Sequence, residues 1–156
     1  MSDKRFMEDA IALSFQAMRE NRGGPYGAVV VKDGQIIGRG MNEVTSLNDP
    51  TAHAEMTAIR EACQALGSWQ LSGCELYTSC EPCPMCLAAA YWSRLDRIYF
   101  GNSREAAAQF GFGSQAIYDE VAKPHEDRSL PIMPLMQDEA LEAFEEWASK
   151  PDKQGY

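Results

Sequence analysis

Histidine is scarce in this 156-residue chain, which has only His53 and His125, so a catalytic metal here cannot be held by histidines alone. Positive charge is also thin: Lys and Arg number 14 against 23 Asp and Glu, a net charge of −9. Repulsion from phosphates therefore argues against a nucleic-acid partner, and no Lys/Arg cluster marks a local groove. No apolar run approaches the ~20 residues that span a bilayer, and Met1-Ser2-Asp3-Lys4-Arg5 lacks the apolar core of a signal peptide. Both absences point to a cytoplasmic address without a membrane partner. No repeat, low-complexity tract or linker is present, so one domain over residues 1–156 is expected, large enough to bury a core without disulfides.

Apolar residues make up 45% and charged residues 24% of the chain, the balance of a globular protein. Five cysteines is an odd count and includes a C-x-x-C pair, which in a reducing compartment favours metal over disulfides. Phe6, Ala10, Leu13 and Ala17 recur at helical spacing, predicting an opening helix that covers a sheet. Gly27 to Val31 reads as a buried strand, Asp33-Gly34 as a two-residue turn, and Gln35 to Gly40 as its hairpin partner. Asp49 or Thr51 is expected to cap a helix with Pro50 in its first turn; Met56, Ile59, Cys63 and Leu66 form its apolar face and Gly67 ends it. Glu75–Ser79, a helix from the C-x-x-C to about Arg94, and Arg97–Gly101 then make a strand–helix–strand unit, which implies a parallel pair. Further on, Ser103–Phe110 and about Ile117–Val121 read as helices, Leu130–Met136 as an edge strand or extended segment interrupted by two prolines, and Gln137–Lys150 as an acidic helix.

Two short stretches carry the chemistry: His53-Ala54-Glu55 and Ser79-Cys80-Glu81-Pro82-Cys83-Pro84-Met85-Cys86. His53, Cys83 and Cys86 give zinc three ligands and leave a fourth position for water, as catalytic rather than structural sites do. Cys83 at a helix start favours the thiolate, and the metal lowers the pKa of its water from ~15.7 toward ~7. Glu55, two residues from His53, reaches that water as a general acid/base without serving as a ligand. Separately, each motif is weak, since a lone histidine at a helix start is more often a cap; together they are specific. Cys80, Cys83 and Cys86 also spell C-x-x-C-x-x-C, part of an iron–sulfur run, with Cys74 or Cys63 available to complete a set. The simpler reading of Cys63 and Cys74 is as small buried hydrophobes.

H-A-E with P-C-x-x-C resembles the cytidine-deaminase superfamily. Gly23–Val29, Asn48–Glu55 and Ser79–Cys86 resemble more narrowly the bacterial guanine deaminase branch, and the likeness extends to Ile117-Tyr118, Leu130-Pro131 and the final Tyr156. The resemblance implies an α/β fold, a three-layer α/β/α sandwich around a mixed five-stranded sheet. It also implies a homodimer in which a C-terminal segment, about 137–156, is exchanged so that Tyr156 closes the other copy's site. Carried over, it makes His53, Cys83 and Cys86 ligands to one Zn²⁺ per chain and Glu55 the proton shuttle. Asn42 is then a hydrogen-bonding partner of the base and Tyr26 an aromatic contact, while the backbone N–H groups of Ala54 and Cys83 donate to oxygens in the site. The reaction implied is hydrolytic deamination of a free nucleobase, guanine to xanthine plus ammonia.

One departure bears on the substrate. The guanine deaminase pattern continues after Gly111-Phe112 with two aspartates, the second facing the substrate, whereas this chain has Gly113 and Ser114. A hydroxyl lacks the charge and paired acceptors of a carboxylate. Ser114 therefore opens a related aminopurine, aminopyrimidine, aminotriazine or nucleoside as the alternative, unless an acid such as Glu120 takes the place of the missing aspartate. A transfer-RNA adenosine deaminase shares the core motifs but sits poorly with the negative charge. A non-enzymatic metal-binding module is the remaining class, and Glu55→Gln separates it from an enzyme.

Overall fold

Backbone hydrogen bonding follows the apolar pattern of the sequence closely. The computed structural model describes residues 3–156, which divide into two compact units meeting in sequence at Tyr118/Asp119. In the first unit, helix α1 (Lys4–Arg19) is followed by the hairpin strands β1 (Gly27–Lys32) and β2 (Gln35–Met41). Asp33 and Gly34, both at positive φ (49° and 76°), make the tight turn that this hairpin requires. A short helix α2 (Val44–Leu47) precedes α3 (Ala54–Leu66), β3 (Cys74–Cys80), α4 (Pro84–Trp92), β4 (Arg97–Asn102) and α5 (Arg104–Ala108). Helix α6 (Gln115–Ala122) begins in this unit.

The sheet runs in the order β2-β1-β3-β4, with β1 antiparallel to both neighbours and β3 parallel to β4. It is the expected mixed sheet, and strand alternation supplies the two covering layers. Ala28, Val30 and Leu76 point to one face, where Ala54, Ala58, Ile59 and Ala62 of α3 bury against them. Val29, Val31 and Tyr77 point to the other, against Phe6, Met7 and Leu13 of α1. Each Val or Leu among them contributes about 1.5–3 kcal/mol when fully buried. Helix α3 sits unusually close to β2, because a Cβ on Gly40 would overlap the Ala54 carbonyl oxygen. Only glycine permits this approach, and it fixes the height at which the first turn of α3 stands over the sheet.

The second unit, Asp119–Tyr156, continues α6 into a 3₁₀ turn (His125–Asp127) and ends with α7 (Gln137–Ser149) and a tail. Glu120 organises its first part: its carboxylate accepts from Lys123 Nζ (2.6 Å) and from the Ser129 backbone N–H (2.7 Å). Leu130–Met136 forms no strand, so four strands rather than five are present among the described residues. Pro131 and Pro134 have no N–H to give a ladder, which is the local reason this segment stays irregular. A second correction concerns Pro50. Asp49 Oδ1 accepts from the Thr51 backbone N–H (2.8 Å) and hydroxyl (2.7 Å), closing a separate turn, so the helix starts later, with His53 as its N-cap. Among the described residues no helix is long and apolar enough to cross a membrane.

Candidate metal centre and substrate cavity

Helices α3 and α4 bring their N-termini to one place. His53 is the N-cap of α3 and Cys83 the N-cap of α4, with Pro84 as the first residue of that helix. The His53 side chain makes no capping bond to its own helix. Instead His53 Nδ1 lies 3.5 Å from Cys83 Sγ and 3.6 Å from Cys86 Sγ. A tetrahedral zinc ion with sulfur bonds of ~2.3 Å and a nitrogen bond of ~2.0 Å spaces its ligands by about 3.5–3.8 Å. The three donors thus already stand at zinc spacing, and all their ligand atoms lie within 4.8 Å of one another.

Electrostatics single out Cys83 as the thiolate of the set, while contact with Cys83 and burial push the Cys86 thiol up. A hydrogen bond from the Cys86 thiol, with the nearby imidazole of His53, holds Cys83 down to about 4, well below an ordinary thiol. The Cys83 contact in turn raises the pKa of His53. Two soft sulfurs and one imidazole nitrogen suit zinc better than an oxygen-seeking cation. Cys80 does not join them: its Sγ lies 3.9 Å from the Ser103 carbonyl oxygen, and burial pushes its thiol up to about 11. Among the described residues no other set of three His, Cys, Asp or Glu gathers in this way, so the C-x-x-C-x-x-C run is not assembled as an iron–sulfur site. Cys74 is wholly buried, as expected of a small hydrophobe.

Glu55 stands in the first turn of α3 and is only 4% exposed. One carboxylate oxygen accepts from the Thr78 hydroxyl at 3.2 Å and the other from Cys86 Sγ at 3.4 Å. Burial raises its pKa, which favours a group able to hold a proton and give it up. Thr78 escapes sequence reading, although strand period was the available signal. It shares a face of β3 with Leu76, the face covered by α3, and that is where Glu55 lies.

A cavity of about 460 Å³ opens from this centre, with His53, Glu55 and Cys83 in its lining. Tyr26, Asn42 and Ser114 line it, whereas Ala54 is completely buried and does not. Asn42 is only 7% exposed, and its Oδ1 accepts from the backbone N–H groups of Gly24 (3.2 Å) and Val44 (3.3 Å). The Tyr26 ring meets Phe112 edge to face, with centroids 5.5 Å apart. Burial raises the pKa of the Tyr26 hydroxyl, so it remains a neutral donor. Glu81, Arg104 and Phe112 also line the cavity; Glu81 and Phe112 fall inside the sequence motifs without a role given to them, and nothing in the sequence marks Arg104. Tyr156, in the C-terminal unit, lines a cavity of about 440 Å³ with Phe144 and Trp147.

The cytidine and deoxycytidylate deaminase zinc-binding region matches residues 1–102, which contain all three donors and Glu55. The chain belongs to this deaminase family. It is similar to the guanine deaminase of Bacillus subtilis (strain 168), with 47% identity over 156 residues covering 100% of both chains. The X-ray structure of guanine deaminase from Bacillus subtilis matches with a TM-score of 0.96, covering 100% of this chain and 99% of that one. Similarity to the tRNA-specific adenosine deaminase of Aquifex aeolicus is 53% over 76 residues, 49% of this chain and 50% of that one. The zinc-binding region of the deaminase family therefore takes in the donor set and Glu55, while Phe112, Ser114 and Ile117 lie beyond it.

Proposed function

We propose that this protein is a zinc-dependent aminohydrolase that converts guanine to xanthine and ammonia. One observation carries the reading: His53, Cys83 and Cys86 stand at zinc spacing beside the buried carboxyl of Glu55, on a cavity sized for a small heterocycle. Similarity along the whole chain to a guanine deaminase supports the choice of base. Zinc, at one ion per chain, supplies when bound a water acidified toward a pKa of ~7. Glu55 takes one proton from the attacking water and delivers it to the ring nitrogen beside the reacting carbon, then carries the second proton, from the added hydroxyl, to the departing amine. The exocyclic C–N bond breaks, a carbonyl replaces it, and one water is consumed for each ammonia released.

The remaining side chains position the base. The Asn42 oxygen is already taken by two backbone N–H groups, so its NH₂ end is the one that meets acceptors on the base. Tyr26 offers an aromatic contact, and the backbone N–H of Cys83, which lines the cavity, donates to the reacting water. Ser114 carries a second reading: a cavity without a carboxylate at this position suits a related aminopurine, aminopyrimidine, aminotriazine or nucleoside. Measuring ammonia release from a panel of these compounds tests both. Guanine should lead the panel, and ammonia from none of them would refute the proposal.

In our reading the whole chain is one deaminase domain that works in the cytoplasm as a homodimer. Two copies exchange residues 137–156, and Tyr156 of each closes the cavity of the other. The exposure of Phe144 (73%) and Tyr156 (80%) supports this. Light scattering should give a dimer mass, and a monomer with full activity would contradict the exchange.

A further inference from the structure

Ser114 belongs to a stretch of cavity wall, Phe112 to Tyr118, that is pinned at both ends. At one end the Phe112 ring rests on the edge of Tyr26. At the other, the Tyr118 hydroxyl donates to the Pro82 carbonyl at 2.8 Å, and Pro82 immediately precedes the zinc-site residue Cys83. Between these pins the Ser114 carbonyl accepts from the N–H groups of Ile117 (3.1 Å) and Tyr118 (3.3 Å). Ser114 is thus joined to Pro82 through one helical turn and one side-chain hydrogen bond.

The Tyr118 ring is itself held. The Arg104 guanidinium lies 4.2 Å from its centroid, while Arg104 Nη1 donates to Gln115 Oε1 at 3.2 Å. Arg104 is fastened to the zinc loop as well, since its Nε and backbone N–H donate to the two carboxylate oxygens of Glu81 at 2.9 and 3.0 Å. These two side chains are only about a quarter exposed, 24% and 25%. A flat guanidinium is needed to stack on a ring while bonding a carboxylate edge-on, which a lysine ammonium cannot do.

We infer that Tyr118, clamped by Arg104 and Glu81, is a positioning residue that fixes the spacing between the Ser114 wall and the zinc ligands, and so sets affinity for the base. This rests on the functional reading above. The wall carries no group that moves protons, and slack in it weakens ground-state and transition-state binding alike. Such a loss raises KM and leaves kcat in place.

Tyr118→Phe tests the clamp by removing one oxygen while keeping the ring under Arg104. Zinc content and kcat should stay within about twofold, and KM should rise about two- to tenfold, the measure of one lost hydrogen bond. Amide hydrogen exchange should quicken over residues 112–118 and stay unchanged over 54–66. Arg104→Ala should show the same pattern, with Arg104→Lys restoring part of it through Glu81, and this pair serves if Tyr118→Phe does not fold. An unchanged KM, or a loss confined to kcat or zinc content, would overturn the inference. If the unaltered protein releases no ammonia from any base, the functional reading has failed. Exchange over 112–118 then decides alone: quickening upholds the clamp, and unchanged rates refute it.

Discussion

His53, Glu55, Cys83 and Cys86 sit at the starts of α3 and α4, whereas Phe112, Ser114 and Ile117 come from a turn and the first residues of a short helix. The first group includes a carboxyl that is 4% exposed and a completely buried cysteine; the second includes Phe112 and Ile117 at 43% and 53%. Glycine at position 40 lets α3 seat directly on β2 and fixes the height of His53 and Glu55, while the second group hangs on an aromatic contact and a few side-chain hydrogen bonds. The family's zinc-binding region covers the first group and stops at residue 102, short of the second. On the proposed function, the more buried group would hold the reaction and the more exposed wall would select the substrate, so the wall could vary without disturbing the chemistry.

The strongest way to break this contrast is to remove the metal. Exhaustive chelation should abolish turnover, and at zinc a thousandfold above its Kd the lost stabilisation is about 4 kcal/mol, seen as a lower Tm. Zinc, and not magnesium, should restore both, because the donors are sulfur and nitrogen. Activity that survives chelation would mean that the cluster of His53, Cys83 and Cys86 is not the reaction centre.

Glu55→Gln is next in size. It keeps the shape and the Thr78 contact but cannot carry a proton, so kcat should fall about 10²–10⁴-fold with zinc content unchanged. Loss of zinc in this variant would instead make Glu55 a ligand. Ser114→Asp is the mildest change and probes the wall alone. It should raise kcat/KM for guanine over other bases by about tenfold, the scale of one charge-assisted hydrogen bond, with kcat on a shared poor substrate unaltered. A loss of turnover on every base would show that the wall and the centre are not separable.

Most of the fold was legible because its signals are local. The apolar stripe of α1, the run Gly27–Val31, the Asp33-Gly34 turn and the β3–α4–β4 unit each follow from period and turn chemistry over a few residues. The donor set was legible because ligand spacing is written into the chain as H-A-E and C-x-x-C. What stayed hidden depends on contacts between distant residues. Thr78 with Glu55 and Arg104 with Glu81 are each separated by 23 positions, and Tyr118 with Pro82 by 36, so no periodicity marks them. Helix α2 is too short, at four residues, to show a period. Asp49 reads equally as a helix cap or as the closure of a separate turn, and its bonds to Thr51 decide for the turn. The segment Leu130–Met136 has the composition of a strand, but two prolines deny it the donors.

Turnover of guanine in ¹⁸O-labelled water tests hydrolysis at this centre most directly. Mass spectrometry should find xanthine carrying one heavy oxygen, with an equal amount of ammonia, from the unaltered protein and almost none from Glu55→Gln. Xanthine without the label, or equal labelling from the Glu55→Gln variant, would contradict a water activated beside Glu55.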